Sequence, residues 1–96
     1  MRTLALTECD SFQALISQRG IRPPPFKTNL EAMEAVELMA TTCELGDRVL
    51  AFGRHGQIPE QQAEALIQDL IICFTSPVEN ARRIFEIGRE LGAHEK

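Results

Sequence analysis

The sequence predicts an all-α fold: a small four-helix domain with one long central helix and an antiparallel helical hairpin. Apolar residues recur at helical spacing in four segments, and capping residues or prolines border each segment. No stretch alternates apolar and polar residues as a half-buried strand does. The 96 residues, 44% hydrophobic and 25% charged, fit one globular domain over residues 1–96. Residues 1–28 hold a short helix and a proline-rich link, and residues 29–92 hold the helical core.

The first helix is short and has signals at both ends. Residues 7–10 place a threonine hydroxyl three residues before an acid, as in a capping box. Gly20 provides a left-handed end, and Ile21 beyond it can contact Ile16, as in a Schellman motif. The apolar positions of this helix are Phe12, Leu15 and Ile16.

Three prolines, residues 23–25, follow the first helix and favour an extended, rigid segment. This strip has two interpretations: a docking strip for an aromatic groove, or a link that delivers Phe26 to the core. We favour the link.

The long helix begins at a capping box, Thr28 to Glu31, and is predicted over residues 29–52. It has two apolar faces, whereas a helix on the outside of a monomer needs only one. Either the helix is central in the fold, or one face contacts another chain. The first face carries Met33, Val36, Met39, Ala40, Cys43 and Leu50. The second face, which with Ile72 of the third helix we assign to partner or dimer binding, carries Leu38, Leu45, Val49 and Phe52.

A glycine-containing loop, residues 53–57, is predicted to separate the long helix from the third helix. The third helix starts near Pro59 and presents an amphipathic stripe from Ala63 to Phe74. Ser76 and Pro77 then predict the start of a fourth helix that Gly92 ends. The residues of the fourth helix expected to face inward are Val78, Ala81, Ile84, Phe85, Ile87 and Leu91.

The residues that bind metals are too scattered for a metal site, and we expect no cofactor. The three cysteines form no closely spaced pair, and the two histidines lie far apart in the sequence. With no signal peptide recognised, reduced thiols indicate the cytoplasm. No apolar run approaches the roughly 20 residues of a membrane span. The cysteines and histidines considered as metal ligands are Cys9, Cys43, Cys73, His55 and His94.

No catalytic motif is present, so we expect a protein that is not an enzyme. Asp47 lies at the edge of an apolar face of the long helix. It is either a buried, functional carboxylate or, as we favour, an ion-pair or capping residue. His55 in the loop lacks a nearby nucleophile, and its role stays open.

The net charge of −4 disfavours nucleic acid as a partner, because a phosphate backbone attracts basic surfaces. The fourth helix alternates acid and base, which a DNA-recognition helix does not. The basic residues that form local clusters are Arg19 with Arg22, and Arg82 and Arg83 with Arg89.

Surplus apolar helix faces on an acidic chain are typical of a protein that binds other proteins, and we expect a homodimer. The layout over residues 23–92 resembles short helical proteins of pseudomonads and the anti-activators of quorum sensing of the QslA type. That resemblance rests on Pro23–Phe26, a long helix from Asn29, and the segments Ala63–Phe74 and Ser76–Leu91. It implies a helical dimer that binds a LuxR-type transcriptional regulator and keeps it off DNA. The alternatives are an inhibitor or adaptor of a phage or toxin system and, third, a DNA-binding accessory protein.

Overall fold

The structure, a computed structural model, describes residues 11–23 and 25–94 of the chain. Four helices follow one another: α1 (Phe12–Gln18), α2 (Asn29–Arg54), α3 (Glu60–Thr75) and α4 (Ala81–His94). No strand occurs in these residues. Helix α2 packs against each of the other three helices, and α3 also contacts α4. The prediction of an all-α domain with a long central helix is confirmed.

Helix α1 begins at Ser11, whose hydroxyl oxygen accepts the N–H of Ala14 at 3.1 Å. The capping signal predicted at residues 7–10 lies outside the described residues. The predicted Schellman ending is confirmed, because Gly20 has φ +67° and the Ile21 N–H donates to the Ile16 carbonyl at 3.0 Å. Both ends of this short helix are therefore fixed by local hydrogen bonds.

The start of α2 is the predicted capping box. The Thr28 hydroxyl oxygen accepts the N–H of Glu31 at 3.0 Å, and the Glu31 carboxylate accepts the N–H of Lys27 at 3.2 Å. These bonds satisfy N–H groups that have no partner inside the helix.

The end of α2 lies two residues beyond the predicted one, since the helix continues through Gly53 to Arg54. The left-handed residue is Gly56, with φ +72°, and the Gln57 N–H donates to the Phe52 carbonyl at 2.8 Å. The two glycines thus serve different purposes. A Cβ at Gly53 would lie 3.1 Å from the Cβ of Ala63, so Gly53 permits close approach of α3.

The predicted start of α4 is wrong. Ser76 caps the end of α3, donating its N–H to the Ile72 carbonyl at 3.0 Å, and residues 77–80 form a turn. The Asn80 side chain closes this turn by donating to the Ser76 carbonyl at 2.8 Å, and α4 starts at Ala81. The serine and proline therefore belong to the α3–α4 connection.

The end of α4 was also predicted too early, because the helix continues through Gly92 to His94. A Cβ at Gly92 would have no neighbour within 4 Å. This glycine has ordinary helical surroundings and does not terminate the helix.

One hydrophobic cluster includes buried side chains from all four helices. Thr42 is the one buried polar residue among those described, and its hydroxyl donates to the Leu38 carbonyl at 2.7 Å. In the described part of the chain, every buried side-chain nitrogen or oxygen atom therefore has a hydrogen-bond partner. The largest fully buried apolar side chains are Phe12, Leu15, Val49, Ile67, Leu70, Ile84, Ile87 and Leu91.

Phe12 of α1 lies directly over Gly46 of α2, where a Cβ would overlap the aromatic ring. Asp47, the next residue of α2, accepts the Phe12 N–H through Oδ1 at 2.8 Å. Two adjacent residues of α2 thus position the first turn of α1, one by leaving room and one by a charge-assisted hydrogen bond.

Arg83 joins α4 to α3 through an ion pair with Asp69 at 2.7 Å. Glu86 and Glu90 lie 3.7 Å from the same guanidinium. The hydrogen bond to Asp69 raises the pKa of Arg83 further above its ordinary value. Because both side chains of the pair with Asp69 are a third or more exposed, the pair contributes about 0–1 kcal/mol.

Candidate partner-binding surfaces

The apolar face of α2 that we assigned to a partner is mostly core. Leu45, Val49 and Phe52 are buried within the single chain, and Leu38 is half-buried against the same cluster. Their assignment to an interface is wrong for the three buried residues, because a buried side chain has no surface left for another molecule. The second face is thus the one that makes α2 central in the fold.

The other apolar face is exposed over the N-terminal half of α2. Met33 is 68% exposed and Val36 is 58% exposed, and Leu30, one turn before Met33, is 67% exposed. Met39 and Cys43 are half-buried and Leu50 is buried, so the same face enters the core toward its C-terminal end. We call Leu30, Met33 and Val36 the outer face of α2.

A second apolar surface is a groove of about 340 Å³ between α2 and α4, which we call the α2–α4 groove. Its apolar lining consists of Leu38 from α2 and of Val78 and Phe85, which are 38% and 65% exposed. The prediction that Val78 and Phe85 face inward is wrong. The other lining residues are Glu34, Glu37, Thr41 and Ala81.

The helical spacing of α4 explains why Phe85 points away from the core. Ile84, Ile87 and Leu91 lie at i, i+3 and i+7, and all three are fully buried. At 100° per residue, Phe85 is rotated about 100° from Ile84 and about 160° from Ile87. Phe85 therefore falls outside the buried stripe, which a stricter helical-wheel test of the sequence would have shown.

The lining of the groove includes two glutamates, and two exposed arginines flank its Phe85 ring along α4. Glu34 and Glu37 line it on the α2 side. On α4, Arg82 and Arg89 are exposed at i−3 and i+4 from Phe85, on either side of that ring. Among the residues that the structure describes, none of these four side chains has an ion-pair partner.

Ile72, the remaining residue assigned to partner binding, is 55% exposed on α3. It is not among the residues that line the α2–α4 groove, and it belongs to α3. It is therefore accessible, but it belongs to neither apolar surface of α2, and its assignment to partner binding stays a prediction.

The proline strip brings Phe26 to the edge of the fold. Pro23 and Pro25 are exposed, and Phe26 is half-buried beside residues 75–79 in a small pocket of about 110 Å³. Phe26 does not belong to the hydrophobic cluster of the described residues. Delivery of this ring into the core, the link interpretation, is thus only partly realised.

Asp47 and His55, which we considered as candidate functional residues, both act as helix caps. Asp47 caps the start of α1, the alternative that we favoured, and His55 is the exposed C-cap of α2. Burial raises the pKa of both Cys43 and Cys73, with smaller contributions from Asp47 and Asp69 respectively. In the described part of the chain no three metal-binding side chains form a cluster.

The raised pKa of the two described thiols predicts slow alkylation. The thiolate is the reactive form, and burial raises the pKa of both thiols, which lowers their thiolate fraction at pH 8. In a chain carrying Cys9→Ser, we expect iodoacetamide at pH 8 to modify Cys43 and Cys73 at least tenfold more slowly than after unfolding in urea. Mass spectrometry over a time course measures both rates. Equal rates for folded and unfolded chains would contradict this expectation.

Comparison with known proteins gives no relative: no protein-family model, no curated protein and no solved structure matches this chain. None of the helices described here is both long and apolar enough to cross a bilayer.

Proposed function

We propose that this protein is a non-enzymatic, cytoplasmic regulator that acts by binding another protein through the outer face of α2. In its sharpest form it is an anti-activator that sequesters a transcriptional regulator of the LuxR type and blocks DNA binding. The observation that carries the proposal is the exposure of Leu30, Met33 and Val36 on the central helix of the fold.

The exposed residues of the outer face suit a binding surface. Single exposed apolar residues are normal, but these three recur every third position along one helix. Full burial of such a side chain contributes about 1.5–3 kcal/mol relative to full exposure. Methionine adapts its shape to different partners, which favours its use at Met33 in a recognition surface.

The charge around the outer face supports a partner that normally binds DNA. Glu37 and Glu44 lie beside this face on the helical wheel of α2, and the net charge of the chain is −4. DNA-binding surfaces are basic, so an apolar face with acidic neighbours complements them. Arg83 is engaged by three carboxylates, which weakens the one basic cluster of α4 that includes adjacent arginines.

The test is the release of DNA from a regulator. Each LuxR-type regulator of the source organism is bound to its promoter fragment, and the purified protein is added in a mobility-shift assay. We expect at least one complex to dissociate while free DNA is not shifted. Inhibition should persist at moderate salt, because burial of apolar surface releases no condensed counterions.

The substitutions Met33→Glu with Val36→Glu should raise the concentration needed for half-inhibition at least tenfold. The matched control adds two glutamates to the exposed surface of α3, Ala65→Glu with Gln68→Glu, and should leave inhibition unchanged. If no regulator complex dissociates, the anti-activator proposal fails. A shift of free DNA that Arg82→Ala with Arg83→Ala abolishes would instead place the protein among nucleic-acid binders.

A further inference from the structure

The α2–α4 groove needs an occupant with a particular charge pattern. Leu38, Val78 and Phe85 provide an apolar lining, so the occupant must bring an apolar side chain. Glu34 and Glu37 on the α2 edge favour cations next to that side chain, because neither carboxylate has an ion-pair partner within the described residues. The required segment is an apolar side chain between positive charges.

The chain itself carries such a segment. Phe85 is 65% exposed on α4, and Arg82 and Arg89 lie one turn before and after it. Both arginines are exposed and have no ion-pair partner in the described part of the chain. The exposed edge of α4 therefore has the apolar anchor and the two cations that the groove of another copy needs.

We propose that two copies of this chain associate about a two-fold axis through their α2–α4 grooves. Phe85 of each copy packs against the groove of the other, and Arg82 and Arg89 face Glu34 and Glu37 of the second copy. In a two-fold interface every contact occurs twice, so a surface with one acidic and one basic edge complements itself. Met33 and Val36 lie outside the lining of this groove, although Glu37 borders both surfaces, and the dimer goes beyond the proposed function.

The dimensions of the two edges are compatible with this pairing. At 1.5 Å per residue, Arg82 and Arg89 lie about 10 Å apart along α4, and Glu34 and Glu37 about 4.5 Å apart along α2. The long arginine side chains can converge on the shorter acidic pair from both sides of the ring. An apolar centre with charged edges is also the usual composition of a specific interface.

The experiment is a set of charge reversals, with molar mass measured by light scattering after size exclusion and by sedimentation equilibrium. We expect the 96-residue chain to be a dimer. Arg82→Glu with Arg89→Glu, and separately Glu34→Arg with Glu37→Arg, should each raise the dimer dissociation constant at least tenfold. Phe85→Ala should do the same. All five positions are exposed, so circular dichroism should show unchanged helicity.

Restoration distinguishes a specific pairing from a general effect of charge. The chain with all four reversals should dimerise again, and an equimolar mixture of the two doubly reversed chains should form a heterodimer. Glu60→Arg with Glu64→Arg, on exposed positions of α3, is the matched control and should remain dimeric. Met33→Glu with Val36→Glu should also remain dimeric, which separates this interface from the one tested in the regulator assay.

A monomeric wild-type chain at the highest soluble concentration overturns the proposal. A dimer that all three reversal or truncation variants leave unchanged does so as well, because the interface then lies elsewhere. The doubly reversed chains could be monomeric with no dimer restored, either by mixing the two chains or by combining all four reversals in one chain. That result would show that the charges do not pair. A monomeric wild-type chain that loses regulator binding on Phe85→Ala would show that the groove binds a foreign protein. That result would also contradict the proposed dimer.

Discussion

Leu45→Glu unfolds the domain. Leu45 is 6% exposed in the middle of α2 and belongs to the cluster that all four helices share. Removing a buried leucine side chain costs about 2–5 kcal/mol, and the new carboxylate must also lose its hydration. Small domains are stable by only about 5–15 kcal/mol, so the sum removes most or all of the stability. Urea unfolding followed by circular dichroism measures the loss.

Leu30→Glu is the matched control for this prediction. It is the same substitution on the same helix, at a side chain that is 67% exposed. We expect its free energy of unfolding to change by no more than about 0.5 kcal/mol, as for an ordinary surface substitution. A Leu45→Glu chain with wild-type helicity and midpoint would show that Leu45 is not part of the core.

Gly46→Ala is expected to destabilise the protein, although alanine is the better helix former. In an exposed helix interior this change stabilises by about 1 kcal/mol. At Gly46 the added methyl group would overlap the ring of Phe12, which is fully buried. Overpacking of this kind costs about 1–3 kcal/mol, so the net change is a loss of stability. The urea midpoint should fall, and hydrogen exchange should increase in α1.

Gly92→Ala provides the control with the opposite sign. Gly92 lies in α4, and an added Cβ would have no neighbour within 4 Å. This substitution should raise the midpoint, by up to about 1 kcal/mol in stability. A double-mutant cycle tests the contact itself: Phe12→Ala should cost less in the Gly46→Ala chain than in the wild type. Additive effects, or a stabilising Gly46→Ala, would show that the ring can move aside freely.

Local signals in the sequence were sufficient for the four helices, for the end of α1 and for the start of α2, whereas the end of α2 and both ends of α4 were predicted wrongly. The hydroxyl of Thr28 and the left-handed Gly20 act within a few residues, so their hydrogen bonds follow from spacing. The start of α4 was missed because Ser76 can end one helix or begin the next. Its N–H bonds to Ile72, and that competition depends on how α3 packs.

The exposed surfaces were harder to predict, because both faces of α2 look equally apolar in sequence. Which face is buried depends on where α1, α3 and α4 pack, and these contacts join residues far apart in the chain. Phe12 contacts Gly46, and its N–H donates to Asp47, which lies 35 residues further along the sequence. Periodicity detects that two faces exist, whereas only the packing shows that Val49 is core and Val36 is surface.

The burial pattern of α2 also has a consequence for its local stability. The buried residues of this helix begin at Ala35 and are concentrated from Thr42 to Phe52. The first turns, which carry Leu30 and Met33, are capped by Thr28 and contain no buried side chain. Segments with few buried contacts open at lower free energy than the core. The helix therefore combines a fixed C-terminal half with an N-terminal end that opens more readily. A partner that binds there must order these turns, and its affinity is reduced by that cost.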